Sequence, residues 1–276
     1  MSNRLLNPRM HVAELSREYT RNGLVVVNDV LDADFARELL DGVRELDALN
    51  LWYQSTLGDA AFVDETRDVL TLEGRECHYA FRFEKYPLHN VSVGDIVSAG
   101  HFGSRRDIRS GLDDNGRGRL ERIAADPLSE LPESNPLRSL RSLLQSGEMA
   151  ALLSELLATV VPAAAGVFFL SRFRSGDFLA PHDDGVDPGH RLCAAVLGLT
   201  PFWLPHWGGN LIMYGEDLRN PPELFVPRFN SLILFNVPRL HAVSAVSASC
   251  PRARYSVSGW IYRSADKLGK HLGRTS

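Results

Sequence analysis

The chain has 276 residues, of which 44% are hydrophobic and 23% charged. That balance suits a folded domain with a sizeable core and excludes a disordered polymer. A formal net charge of -4 and a pI near 6.1 argue against a dominant nucleic-acid-binding face.

The cysteines Cys77, Cys193 and Cys250 stand far apart, with no C-x-x-C pair. Neither a disulfide framework nor a zinc ribbon is expected, and reduced thiols fit a cytoplasmic setting. The opening MSNRLLNPRM carries no apolar signal region, and no run of about 18 apolar residues occurs, so no secretory leader and no membrane span are expected. Basic residues gather between Arg105 and Arg122 and from Lys267 to Arg274. They read as a solvated loop and a tail rather than a polyanion site.

In chain order, Val12, Leu15 and Tyr19 recur at helical spacing, which predicts a helix over 12–22 ended by Gly23. LVVVN at 24–28 reads as a buried strand, and Asp32 is placed to cap a helix over 33–46. Residues 48–76 carry mixed signals. HYAFRFEKY at 78–86 alternates like a strand and stops at Pro87. Residues 100–136 are rich in Gly, Asp, Arg, Ser and Pro, and form a candidate lid, because long loops in compact domains are often functional. A helical stretch follows over 137–160, with an interruption near Gly147.

After Pro162 the texture becomes β-rich. GVFFLSRFR, RLCAAVLGL, NLIMYGE, ELFVP, NSLILFNV, HAVSAV and RYSVSGWIYR alternate with Gly, Pro and Asn turns. Such punctuation predicts a β-sandwich or barrel, with the N-terminal helices packed on one sheet. No repeat and no linker divides the chain. The expectation is a single domain over 1–276, with 1–165 as support and 166–263 as the β core.

Among nine histidines, only His182 is followed two positions later by an acid, Asp184. Chance alone gives roughly one such match in a chain like this. At a strand end, however, alternation puts both side chains on one face and sends Asp183 to the other. His241, opening the HAVSAV run, is the candidate third ligand. Two imidazoles and one carboxylate with open positions are the donor set of non-haem iron(II) oxygenases. Downstream, Arg254 and Ser256 share a strand face, where a cation and a hydroxyl can grip a carboxylate.

These residues carry a resemblance. Gly176-Asp177-Phe178-Leu179 stands before His182-Asp183-Asp184, and Gly208-Gly209-Asn210-Leu211 follows. Asn230-Ser231-Leu232-Ile233-Leu234-Phe235, His241-Ala242-Val243, Arg254-Tyr255-Ser256 and Gly259-Trp260 complete the series. From about 166 to 263 the chain resembles the prolyl 4-hydroxylase-like 2-oxoglutarate and iron(II)-dependent oxygenases. The resemblance implies a mainly β fold with flanking α-helices: a double-stranded β-helix, the cupin-like jelly roll. It implies Fe(II) at His182, Asp184 and His241, the distal carboxylate of 2-oxoglutarate at Arg254 with Ser256, and O2 as co-substrate. One departure is Phe173, which stands where many relatives carry a tyrosine. Asp184 favours hydroxylation, since related halogenases lack this carboxylate.

Other residues have plainer readings. Gly208 and Gly209 shape a turn, and Trp203, Trp207 and Trp260 are core or pocket-wall aromatics. His190 and His206 are not expected to be ligands. Arg172, Arg174 and Asn236 are candidate substrate contacts. The leading expectation is hydroxylation of a small molecule, such as an amino acid or biosynthetic intermediate. The alternatives are a peptidyl, prolyl-type protein hydroxylase and a non-catalytic metal-binding jelly roll.

Overall fold

A computed structural model describes residues 5–49, 52–55, 78–82, 126–185 and 190–264. Helix α1 (Val12–Asn22) ends at Gly23, which turns left-handed at φ 62° and donates its N–H to the Tyr19 carbonyl. Glycine reaches that conformation without a Cβ penalty. Strand β1 (Leu24–Asn28) follows. Asp32 caps α2 (Ala33–Leu49) by accepting from the N–H groups of Asp34 at 2.9 Å and Phe35 at 3.2 Å. A cap of this kind contributes about 1 kcal/mol. The helix runs on to Leu49, past the end read at 46.

β2 (Tyr53–Ser55) and β3 (His78–Arg82) form a hydrogen-bonded pair. The remainder of the strand read over 78–86 lies outside the described residues. So does most of the candidate lid, 100–125; its last part holds a 3-10 turn at Pro127–Glu130. The helical stretch is broken as expected, into α3 (Pro136–Leu144) and α4 (Gly147–Leu156). Ser146 makes the break by accepting from the Met149 N–H at 3.1 Å.

The β core comprises β4 (Gly166–Phe173), β5 (Leu179–His182), β6 (Arg191–Gly198), β7 (Leu211–Met213), β8 (Glu223–Phe225), β9 (Ser231–Asn236), β10 (His241–Val243) and β11 (Arg254–Tyr262). The larger sheet has the order β1-β9-β6-β11-β4-β3-β2, and the smaller has β5-β10-β7-β8. All the pairings are antiparallel. The chain therefore winds between two sheets from β4 to β11, which is the double-stranded β-helix the resemblance implied.

Strand alternation sorts the core into two clusters. Leu232 and Leu234 of β9 join Leu39, Val43, Leu140 and Leu153 in a cluster between the larger sheet and helices α2, α3 and α4. Phe235 instead joins Phe173, Ala194, Leu211, Met213 and Val243 in a cluster between the sheets. Fully burying one such side chain is worth about 1.5–3 kcal/mol, so both faces of the larger sheet are firmly held. Among the described residues no helix is long and apolar enough to cross a membrane.

Candidate metal and cosubstrate site

β5 and β10 are neighbours in the smaller sheet, and their register sets His182 opposite His241. The two ring centroids lie 4.2 Å apart. Each ring is fixed through Nδ1. That of His182 is 2.8 Å from the Ala180 carbonyl, and that of His241 is 2.7 Å from the Arg239 carbonyl. A carbonyl at Nδ1 holds the proton there and leaves Nε2 as the free donor atom for a metal. The edge of Phe235 meets the His241 ring at 4.8 Å and restrains its plane further.

Asp184 completes the group. Its Oδ1 is 3.9 Å from His182 Nε2, and its Oδ2 is 3.5 Å from His241 Nε2. Ligand atoms of all three residues lie within 4.8 Å of one another. Bonds of about 2.0–2.2 Å put two ligands of one ion no more than about 4.4 Å apart, so a small inward shift of the side chains would bring this group onto a single ion. Burial, and then the neighbouring His182 ring, lower the pKa of His241 against the opposing pull of the Arg239 carbonyl and Asp184. The lowered value keeps this imidazole neutral, the form that binds metals.

The route by which Asp184 arrives differs from the one read in the sequence. β5 stops at His182, and Asp184 sits beyond it in the left-handed region at φ 61°. A turn, not strand alternation, swings the carboxylate toward the imidazoles. Aspartate is among the residues that tolerate this conformation. Asp183 serves the turn, its side chain accepting from the Gly185 N–H at 2.9 Å and its carbonyl from the Arg239 N–H at 3.2 Å.

One residue of this turn's surroundings went unread. Arg191, 9% exposed at the start of β6, donates from a terminal nitrogen to the Asp184 carbonyl at 2.8 Å. The only sequence signal was a cation opening a buried apolar strand.

On the larger sheet, β11 supplies Arg254 and Ser256, which are 5% and 1% exposed. Arg254 Nε and Ser256 Oγ are buried and have no hydrogen-bond partner among the described residues. The guanidinium lies 5.0 Å from the centroid of the Phe173 ring. The ring face of Phe173 thus supports the cation where many relatives have a hydroxyl. Gly209, at φ 62°, lets the arginine stem pass: a Cβ there would come within 3.2 Å of Arg254 Cδ. Burial pulls Arg254 down to about 10, so it stays cationic at neutral pH. A buried, unpaired cation is costly, and an incoming carboxylate removes that cost. The donor set and this orphaned grip both fit iron(II) and 2-oxoglutarate.

The candidate substrate contacts fare differently. Arg172 faces the helix layer, opposite Tyr255 in the β4–β11 register, and pairs with Asp47 of α2. Alternation along β4 turns it away from Arg254, so the structure does not bring it to the site. Asn236 ends β9 one residue after the inward Phe235, and its side chain lies against Gly23. It too is outside the site. Arg174 lies just past β4, half-exposed and 4.0 Å from Asp177. Trp203 and Trp207 pack between the sheets, while Trp260 lies under Arg191.

Two imidazoles on neighbouring strands of a jelly roll, with a carboxylate from the turn that follows one of them, are the donor set of the non-haem iron(II) class. Residues 168–262 match the family model of the 2OG-Fe(II) oxygenase superfamily. That stretch is therefore similar to the 2-oxoglutarate and iron(II)-dependent oxygenases, the wider group that the sequence resembles. Members of the superfamily use Fe(II), 2-oxoglutarate and O2.

The chain is 41% identical over 92 residues to the prolyl 3-hydroxylase OGFOD1 of Xenopus laevis, an overlap covering 31% of this chain and 17% of the relative. Among solved structures, a prolyl-4-hydroxylase of Pseudomonas putida matches with a TM-score of 0.51 and 18% identity, covering 91% of this chain and 99% of that one. A prolyl hydroxylase of Trichoplax adhaerens, solved with a hypoxia inducible factor peptide, matches with a TM-score of 0.55 and 17% identity, covering 96% of this chain and 94% of that one. At these identities the solved structures speak for the fold alone.

Proposed function

We propose that the protein is a 2-oxoglutarate- and iron(II)-dependent dioxygenase that hydroxylates prolyl residues of a polypeptide. The observation that carries the oxygenase reading is the pairing of the His182-Asp184-His241 group with a buried arginine that meets no carboxylate among the described residues. The likeness of the core to a prolyl 3-hydroxylase supports a peptidyl substrate over the small molecule that the sequence alone favoured. The cysteine pattern supports a cytoplasmic enzyme, and the absence of a linker supports a single domain over 1–276.

His182, Asp184 and His241 would hold the metal from one side and leave its other positions open. Arg254 and Ser256 would take the distal carboxylate of 2-oxoglutarate, so that its oxo-acid end is presented to the metal. When bound, iron with 2-oxoglutarate supplies the oxidising power to activate dioxygen against an unactivated C–H bond. The chain's own contribution is orientation and dryness. Phe173, Phe235, Leu211 and Val243 form an apolar wall between the sheets that excludes water.

The test is incubation with iron(II) and 2-oxoglutarate, with a library of proline-containing peptides or, separately, free amino acids. Succinate release with a peptide mass gain of one oxygen is expected. Oxygen gain on a free amino acid alone would return the substrate to the small-molecule class. Metal binding without succinate release from any substrate would favour a non-catalytic jelly roll.

A further inference from the structure

We infer that Arg191 is a positioning residue that sets how tightly this chain holds its metal, an inference that rests on the iron reading above. Its ground is the delivery of Asp184. This carboxylate reaches the imidazoles from a left-handed residue at φ 61° rather than from a strand. Aspartate tolerates the left-handed region but is not confined to it, so contacts from neighbouring residues are needed to hold the turn.

Two contacts clamp its carbonyls. The Asp183 carbonyl accepts from the Arg239 backbone N–H at 3.2 Å, and the Asp184 carbonyl accepts from Arg191 at 2.8 Å. Only the second clamp is a side chain. The same Arg191 nitrogen is 3.9 Å from Asp184 Oδ1, too far for a hydrogen bond but near enough to attract the carboxylate.

Arg191 is itself braced by the larger sheet. Its Nε donates to the Tyr262 hydroxyl at 3.2 Å, and its guanidinium carbon lies 4.3 Å from the centroid of the Trp260 ring. A planar fork can donate in two directions while stacking on an aromatic face, which an ammonium cannot. Thus β6 and β11, strands of the larger sheet, brace a residue that fixes a ligand carried on the turn after β5. The two histidines have their own carbonyl restraints, from Ala180 and Arg239. Loss of Arg191 therefore acts on the delivery of Asp184 rather than on the two imidazoles, and it touches neither Arg254 nor Ser256.

The experiment is calorimetric titration of Mn(II), as a redox-inert stand-in for iron(II), into the metal-free full chain. Arg191→Gln should weaken Mn(II) binding by about 10–100-fold, the usual cost of losing a group that orients a ligand. Arg191→Lys keeps the charge and loses the fork, and should show a smaller, several-fold loss. At saturating Mn(II), 2-oxoglutarate affinity should stay within about twofold of the parent in both variants, which a general loosening of the fold would not give. Unchanged Mn(II) affinity in Arg191→Gln, or in Arg191→Lys should the glutamine variant not fold, overturns the assignment. An equal loss of 2-oxoglutarate affinity also overturns it. A parent chain that binds no Mn(II) sinks the iron reading instead.

Discussion

Arg172 and Arg254 are buried cations on paired strands of one sheet, β4 and β11, and the chain treats them in opposite ways. On the helix side, Asp47 receives both the Arg172 guanidinium and the Tyr255 hydroxyl, and the Trp52 ring lies 4.9 Å from the cation. Burial first, and then the bond to Asp47, push the Tyr255 hydroxyl up, so it remains protonated and donates. On the inner side, Arg254 meets the face of Phe173 and no carboxylate among the described residues. One face of the sheet has been closed by the chain's own charges. The other leaves its charge for a ligand to neutralise. Tyr255 stands between Arg254 and Ser256 in sequence, so a single residue step separates the two arrangements.

Four substitutions test that contrast. The largest effect is expected from Asp184→Ala, which removes the carboxylate of the proposed metal group outright. Succinate release should fall at least about a hundredfold, and metal titration should show the cause directly. Arg254→Met should follow. Its 2-oxoglutarate affinity should drop about 30-fold or more, equivalent to roughly 2 kcal/mol or above. Its ligand-free melting temperature should rise, because an unpaired buried charge has been replaced by an apolar chain. A fall in melting temperature would mean that the inner cation is structural after all.

Asp47→Ala should show the reverse pattern. Stranding Arg172 and Tyr255 should cost about 2–3 kcal/mol in chemical denaturation, since one partner of a mostly buried pair is lost. 2-Oxoglutarate binding should remain within about twofold of the parent. If it weakens as much as in Arg254→Met, the two faces are not independent. The smallest effect is expected from Ser256→Ala, about 1 kcal/mol or fivefold in 2-oxoglutarate affinity, the worth of one hydroxyl contact.

Much of this architecture is legible in local pattern. Helix α1 stops at Gly23, Asp32 caps α2, and Ser146 splits the later helical stretch, each by chemistry confined to a few neighbouring residues. The positions of His182, Asp184 and His241 are legible for a different reason: their residue types and order are rare together. The geometry is less so. Asp184 is delivered by a left-handed turn, and nothing in H-x-D distinguishes that from an extended strand. Arg172 and Asn236 look like plausible substrate contacts until register decides which side of the sheet each occupies, and register comes from pairing with distant strands. Arg191 is silent for a related reason. Its partners include Asp184, Trp260 and Tyr262, and the aromatic two lie about seventy residues downstream, outside any local window.

The two imidazoles are unequal, and the inequality bears on traffic. The His182 side chain is 26% exposed, while that of His241 is 7% exposed and lies beneath Phe235. On the proposed iron reading, an ion entering from solvent would meet the His182 ring first, and a chelator extracting it would begin there. The deeper ring, held by the Arg239 carbonyl and Phe235, would keep its orientation throughout, so an emptied centre would already be shaped for reloading.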